Sequence, residues 1–201
     1  MRTFVTGAVV VFCLVLLSGC NLRGNQPTAN QLNEKGVKLL TSAAGDPEQL
    51  RLAVAKFEQA VVKDPTLVAA HANRVNALVQ LGDHEAALAG AKRVAELRDA
   101  PQDQLLVCAI QEVGELVAED PRGCYEEAAL AIRQSSPAGD LDANYVVALK
   151  LAESPHFPQA AQRFIRSLES YGEREIYASL LLVDAREDIL HSLVPPSPLD
   201  H

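Results

Sequence analysis

The 201-residue sequence contains no tryptophan, one methionine and only 4% aromatic residues, and it lacks any excess of positive charge. Its 18 Lys and Arg residues are outnumbered by 26 Asp and Glu residues, which gives a formal net charge of -8 at pH 7. Such a chain lacks the excess of basic residues that attracts nucleic acid, so we expect no nucleic-acid partner. Its 48% hydrophobic and 22% charged residues are typical of one soluble globular domain. Collagen-like, disordered and polytopic membrane classes are thereby excluded.

The first twenty residues lack acidic side chains and contain a single base, Arg2. An apolar run over residues 4–17 follows, and the small residues Ser18 and Gly19 precede Cys20. This order is typical of a secretory signal peptide, which we assign to residues 1–19. The alternative is an uncleaved transmembrane anchor, because the run approaches the lower length limit of about 17 residues.

The four residues Leu17-Ser18-Gly19-Cys20 resemble the bacterial lipoprotein box. The resemblance implies that the chain is cut before Cys20, whose thiol and new amino group then carry acyl chains such as palmitate. Several acyl chains give stable anchoring where one is marginal, since each buried CH₂ contributes about 0.8 kcal/mol. Asn21, rather than Asp, follows the cysteine. By the same resemblance this residue implies a lipid-anchored protein of the outer membrane that faces the periplasm of a Gram-negative cell.

Both ends of the exported chain lack helix-forming patterns. Residues 20–30 are polar and contain Gly24 and Pro27, which predicts a lipidated flexible tether. Residues 193–201 contain three prolines that cannot donate helical hydrogen bonds, which predicts a disordered tail. The folded domain is therefore expected over residues 31–192.

Cysteine is scarce outside the signal segment. Cys13 and Cys20 belong to that segment, and Cys108 and Cys124 would reach an oxidising compartment in which a disulfide is allowed. A turn near residues 120–121 would place Cys124 beside it and Cys108 about ten residues, or about 15 Å, away along a helix. The spacing therefore predicts two packed thiols, and no C-x-x-C spacing indicates a metal site.

An internal repeat is the most informative pattern in the chain. Four segments each lead to an alanine that opens a second helix, and successive alanines are 34, 41 and 32 residues apart. A second small or apolar residue follows four positions later, which keeps each pair on one helix face. The pairs are Ala53 with Phe57, Ala87 with Ala91, Ala128 with Ile132, and Ala160 with Phe164.

This pattern resembles the tetratricopeptide repeat, a helix–turn–helix unit of 34 residues. The repeat at about 68–101 matches best, with Gly82 and Asp83 at the turn between its helices. In the next repeat, Gly114 and Val117 match the first-helix pattern. None of the four repeats contains the tryptophan of the family pattern.

The resemblance implies an all-α fold, a right-handed α-solenoid of about four tetratricopeptide-like helix hairpins. Small residues such as Gly36 would let the helices approach closely, which explains why few aromatic residues suffice. A further amphipathic helix at 174–193 is expected to cap the open hydrophobic face of the last hairpin.

The first helices of such repeats line a concave wall that usually binds peptides. Ten residues are candidates for this wall: Asn33, Val37, Asn73, Asn76, Gln80, Gln111, Glu112, Glu115, Tyr145 and Leu149. Asn73 and Asn76 could clamp a peptide backbone through amide donors and acceptors. Glu112 and Glu115 favour a partner with basic and apolar residues. The alternative interpretation is a solvated polar face.

Catalytic motifs are missing from the sequence. It contains no H-E-x-x-H, no G-x-S-x-G and no phosphate-binding glycine loop, and His71 and His84 are expected too far apart to share a metal. We therefore expect a protein that is not an enzyme and that uses no metal, cofactor or small-molecule substrate.

The leading functional prediction is an interaction scaffold that recruits a protein or peptide partner to a cell-envelope machine, such as a pilus, a secretion system or an outer-membrane complex. This prediction rests on analogy with the family. One alternative is an immunity or inhibitor lipoprotein that neutralises a periplasmic toxin. Another is a peripheral envelope hydrolase.

Overall fold

The computed structural model describes residues 26–117, 120–183 and 185–197, and all regular secondary structure in these ranges is helical. The helices are α1 (Ala29–Ser42), α2 (Pro47–Lys63), α3 (Val68–Gln80), α4 (His84–Arg98), α5 (Asp103–Val113), α6 (Arg122–Ser135), α7 (Ala143–Leu151), α8 (Phe157–Ser167), α9 (Tyr171–Ala178) and α10 (Arg186–Leu193). From α1 to α9, each helix packs against the next. The predicted all-α class is confirmed.

The predicted signal peptide and the acylated Cys20 lie outside the described residues. Residues 26–28 of the predicted tether precede α1, and residues 29–30 already belong to that helix. No helix within the described ranges has the length and apolar character needed to cross a membrane.

Side-chain caps explain where several helices begin. At α1, the Thr28 hydroxyl accepts from the Gln31 amide and the Gln31 side chain accepts from the Thr28 amide, which is a capping box. Asp46 caps α2 ahead of a proline at the first helical position. Asp83 caps α4 after Gly82, whose φ of +73° suits glycine. The turn predicted at Gly82 and Asp83 is confirmed.

The repeated alanines and their partners are all core residues. Each of the eight is at most 4% exposed: Ala53, Phe57, Ala87, Ala91, Ala128, Ile132, Ala160 and Phe164. Gly36 in α1 faces Phe57 so closely that a Cβ atom at position 36 would overlap the phenyl ring. The repeat pattern thus marks positions that are buried where the helices pack, and at Gly36 no room is left for a side chain.

The third helix pair departs from the sequence prediction. Helix α5 ends at Val113, so Gly114 caps it and Val117 lies beyond it; assigning both to the helix was wrong. A Cβ atom at position 114 would lie 2.7 Å from the Cβ of His84, so the backbone passes too close to α4 for a side chain. Glu115 follows with a φ of +51°, which ends helical geometry.

The early end of α5 also changes the cysteine geometry. The structure joins Cys108 to Cys124 by a disulfide with a Cα–Cα distance of 5.8 Å, so the prediction of two separate thiols was wrong. Cys108 lies five residues before the end of α5, and the long connection to α6 returns the first turn of α6 beside it. The predicted hairpin placed the turn about seven residues too late.

The C-terminal region is divided rather than continuous. The single capping helix predicted at 174–193 is replaced by α9, a π-helix over Ser179–Val183 and α10. Helix α10 packs against α5 and α7 instead of extending the row of helices. The tail predicted as disordered from residue 193 is described to residue 197, and within it Val194 and Ser197 are buried. Both residues are therefore packed against the helices rather than exposed to solvent, despite the neighbouring prolines.

Candidate functional site

The structure places nine of the ten candidate wall residues on four helices. Asn33 and Val37 lie on α1, Asn73, Asn76 and Gln80 on α3, Gln111 and Glu112 on α5, and Tyr145 and Leu149 on α7. Glu115 lies outside the helices, exposed in the turn after α5. We call the side of α3, α5 and α7 that faces residues 186–197 the inner surface.

Four amide side chains form a row beside the inner surface. Asn73 Nδ2 donates to Asn33 Oδ1 across 2.9 Å, and Gln80 Nε2 donates to Asn76 Oδ1 across 2.7 Å. Asn76 is exposed, while the other three are half-buried. We call these four residues the amide row. Each pair uses one amide donor and one amide oxygen as acceptor.

Tyr145 and Leu149 differ from the expectation of an open apolar wall. They are 7% and 5% exposed, because α7 is packed between its neighbours in the main core. Both residues line a cleft of about 330 Å³ together with Leu130 and His156. Gln111 is half-buried beside the disulfide rather than exposed to solvent.

Glu112 is the centre of a cluster of groups around Arg186. We call Glu112, Tyr125 and the Leu151 carbonyl the arginine pocket. Arg186 of α10 donates from Nη1 to Oε1 across 2.6 Å and from Nη2 to Oε2 across 2.9 Å. The Tyr125 hydroxyl donates to the same carboxylate across 2.8 Å, and the guanidinium carbon lies 5.8 Å from the centroid of the Tyr125 ring. Arg186 Nε also donates to the Leu151 carbonyl across 2.9 Å. The arrangement of these acceptors therefore matches the planar, forked shape of a guanidinium.

The contacts with Glu112 keep the Arg186 guanidinium charged. Hydrogen bonds to Glu112 raise the pKa of Arg186, although burial opposes the charge. Burial, followed by the hydrogen bond to Glu112, raises the pKa of Tyr125, so its phenol remains a donor. The side chains of Arg186 and Glu112 are 17% and 19% exposed, which shields the pair from solvent.

Apolar residues continue the contact beyond the pocket. Ile189 and Leu190 of α10 and Val194 after it are buried in the main core with residues of α3, α5 and α7. At the far end, Ser197 Oγ donates to the Gln80 carbonyl across 3.1 Å. A cleft of about 290 Å³ lies here, between Asn76 and Leu106 on one side and residues 192–195 on the other.

Sequence reasoning missed Arg186 and two parts of the arginine pocket, Tyr125 and the Leu151 carbonyl. Glu112 was singled out for its charge, but Arg186 follows it by 74 residues and belongs to a different helix. Arg186 contacts Glu112, and Ile189 and Leu190 pack in the main core, so these basic and apolar groups come from the same chain. The chemistry expected of a separate partner stays a prediction.

The histidines form no metal centre in the part of the chain that the structure describes. His71 Nε2 lies 3.0 Å from the Pro65 carbonyl, which gives this ring a structural contact. His84 is the first residue of α4 and packs beside Gly114. Among residues 26–117, 120–183 and 185–197, no three His, Cys, Asp or Glu side chains come close enough to hold a metal ion.

Comparisons with known proteins assign no family to the chain. The tetratricopeptide resemblance therefore stays a prediction based on the repeated residues and their burial. No family model matches the sequence, and neither a curated protein nor a solved structure matches it.

Proposed function

We propose that this protein is a lipid-anchored adaptor of the cell envelope, which binds a partner protein through the amide row and the inner surface. In this proposal Cys20 is acylated, the chain faces the periplasm from the outer membrane, and the helices form a tetratricopeptide-like solenoid. The role is recruitment of the partner to an envelope machine, such as a pilus, a secretion system or an outer-membrane complex.

The amide row is the observation that carries this proposal. Asn33 and Asn73 join α1 to α3, so the row spans two helices and holds its side chains in fixed orientations. Asn76 lies at the exposed end of the row and Gln80 next to it. Preorganised amides lose little side-chain entropy when they bond a peptide backbone, which favours binding over solvation.

The Cys108–Cys124 disulfide supports the exported part of the proposal. Disulfides persist in oxidising compartments and are rare in the reducing cytosol. A disulfide within the helical domain is therefore what we expect of a chain that crosses the inner membrane before it folds.

Photo-crosslinking in intact cells tests the binding site. A crosslinking amino acid at exposed Asn76 should capture a specific partner, whereas the same group at exposed Gln59 on α2 should not. Equal capture from both positions, or from neither, would contradict the proposal. Identification of the captured protein also separates functions, because a toxin would indicate an immunity protein and an envelope-machine subunit would indicate an adaptor.

Mass spectrometry tests the anchor separately. The membrane-extracted protein should begin at Cys20 and carry the mass of several acyl chains, and Cys20→Ser should abolish that mass. An N-terminus at Met1, or one at residue 20 without added mass, would overturn the anchor while leaving the binding site open to its own test.

A further inference from the structure

We propose that the inner surface recognises a partner helix with an arginine followed three and four residues later by large aliphatic residues, and that α10 is the chain's own competitor for this site. The inference rests on the proposed binding function and names the chemistry of the ligand. It concerns the arginine pocket and the apolar contacts beside it, rather than the amide row.

The arginine pocket supplies specificity. A lysine could satisfy neither the bidentate contact with Glu112 nor the bond from Nε to the Leu151 carbonyl, because its single ammonium lacks the planar fork. The Tyr125 ring and hydroxyl fix the carboxylate and flank the guanidinium. The groups that contact the guanidinium, Glu112, Tyr125 and the Leu151 carbonyl, belong to α5, α6 and α7, so α10 contributes only the arginine.

The apolar contacts supply affinity and register. Ile189 and Leu190 follow Arg186 by three and four residues, so all three lie on one face of α10. Both aliphatic residues are at most 6% exposed, and Val194 is fully buried. A partner helix with the same spacing would present its guanidinium and its aliphatic side chains to the same places.

Residues 186–197 have the features of a segment that can detach from the inner surface. Helix α10 has eight residues, and an isolated helix of that length is not stable in water, so it depends on the surface beneath it. A π-helix and the extended Ala185 separate it from α9, which gives it a boundary of its own. Its covalent link supplies a high effective concentration, so a free ligand must compete with it.

Charge also favours a basic partner. The chain carries a formal net charge of -8, and the pocket presents a carboxylate at its base. A partner helix with a net positive charge is therefore attracted to the protein before it docks, and the attraction weakens with added salt.

A labelled peptide with the sequence of residues 186–197 tests the inference on the full chain in detergent micelles. Fluorescence anisotropy should show weak binding to the wild-type protein and at least ten-fold tighter binding to Arg186→Gln, because the internal competitor is weakened. Glu112→Gln added to Arg186→Gln should weaken binding at least ten-fold. Arg174→Gln is the matched control, since among the described residues that arginine donates its side-chain hydrogen bonds to the Leu168 and Glu169 carbonyls, outside the inner surface. This variant should bind the peptide like wild type.

Hydrogen-exchange mass spectrometry of the wild-type protein gives a readout that needs no variant. Excess peptide made with ¹³C and ¹⁵N, so that its fragments differ in mass from those of α10, should accelerate exchange of the α10 amides at least ten-fold while the amides of α7 remain protected. Equal exchange of α10 and α7 at every peptide concentration would overturn the inference, because α10 would then open only with the whole domain. Absence of peptide binding to a folded Arg186→Gln would overturn it as well. Capture of a partner from Asn76 would survive either result, so the two proposals fail separately.

Discussion

The disulfide between α5 and α6 gives the sharpest stability prediction. Cys108 and Cys124 are 16 residues apart, and closing a loop of that size removes conformational entropy from the unfolded chain. In the chain-entropy model the loss corresponds to about 3 kcal/mol at 25 °C. For a urea dependence of about 2 kcal/mol per molar, this lowers the unfolding midpoint of the Cys108→Ala/Cys124→Ala variant by about 1.5 M.

Urea unfolding followed by far-ultraviolet circular dichroism measures the effect. The wild-type midpoint should fall to that of the double variant when dithiothreitol is added, and the variant itself should not respond to the reductant. Trypsin cleaves after Arg122, which separates the two cysteines, so the unreduced digest should contain a linked peptide pair that reduction splits. Equal midpoints for wild type and variant, or two free thiols in the unfolded wild type, would refute this reasoning.

Two further predictions concern packing and charge. Gly36→Ala should destabilise the domain by about 1–3 kcal/mol, because the new methyl group overlaps the Phe57 ring. Gly123→Ala is the control and should not destabilise it, because the space around its new methyl group is open. The urea midpoints of the two variants test this difference. The hydrogen bonds from Arg122 lower the pKa of Asp120 to about 2. The small stabilisation of the fold by the ionised Asp120 carboxylate is therefore present above pH 4 and is lost as the pH falls towards 2. A nuclear magnetic resonance titration should show this pKa return towards its usual value in Arg122→Gln, and an unchanged pKa would contradict the assignment.

The repeated residues made the helical class predictable. Alanine followed four residues later by a small or apolar side chain marks a helix face that meets a neighbour, and all eight such residues are buried. Gly82 and Asp83 identified a turn because a positive φ and an N-cap are local properties. Local spacing and local backbone chemistry were sufficient for these features.

The candidate site was predictable only in part. Asn33, Asn73 and Asn76 were singled out from the repeat, and they are exposed or half-buried on α1 and α3, but their pairing with one another and with Gln80 was not predicted. The burial of Tyr145 and Leu149 was not predictable, since it depends on how many neighbours surround α7. The end of α5 was also missed, because it follows from the close approach of Gly114 to His84 on another helix.

The sequence by itself determined that the chain is helical, with an acidic, aromatic-poor composition after an apolar N-terminal segment. Periodicity and composition act over a few residues, so they can be read along the chain. The tertiary structure alone decided that Cys108 meets Cys124 and that Arg186 binds Glu112. Those contacts join different helices, and their formation depends on where each helix ends and which way the chain turns.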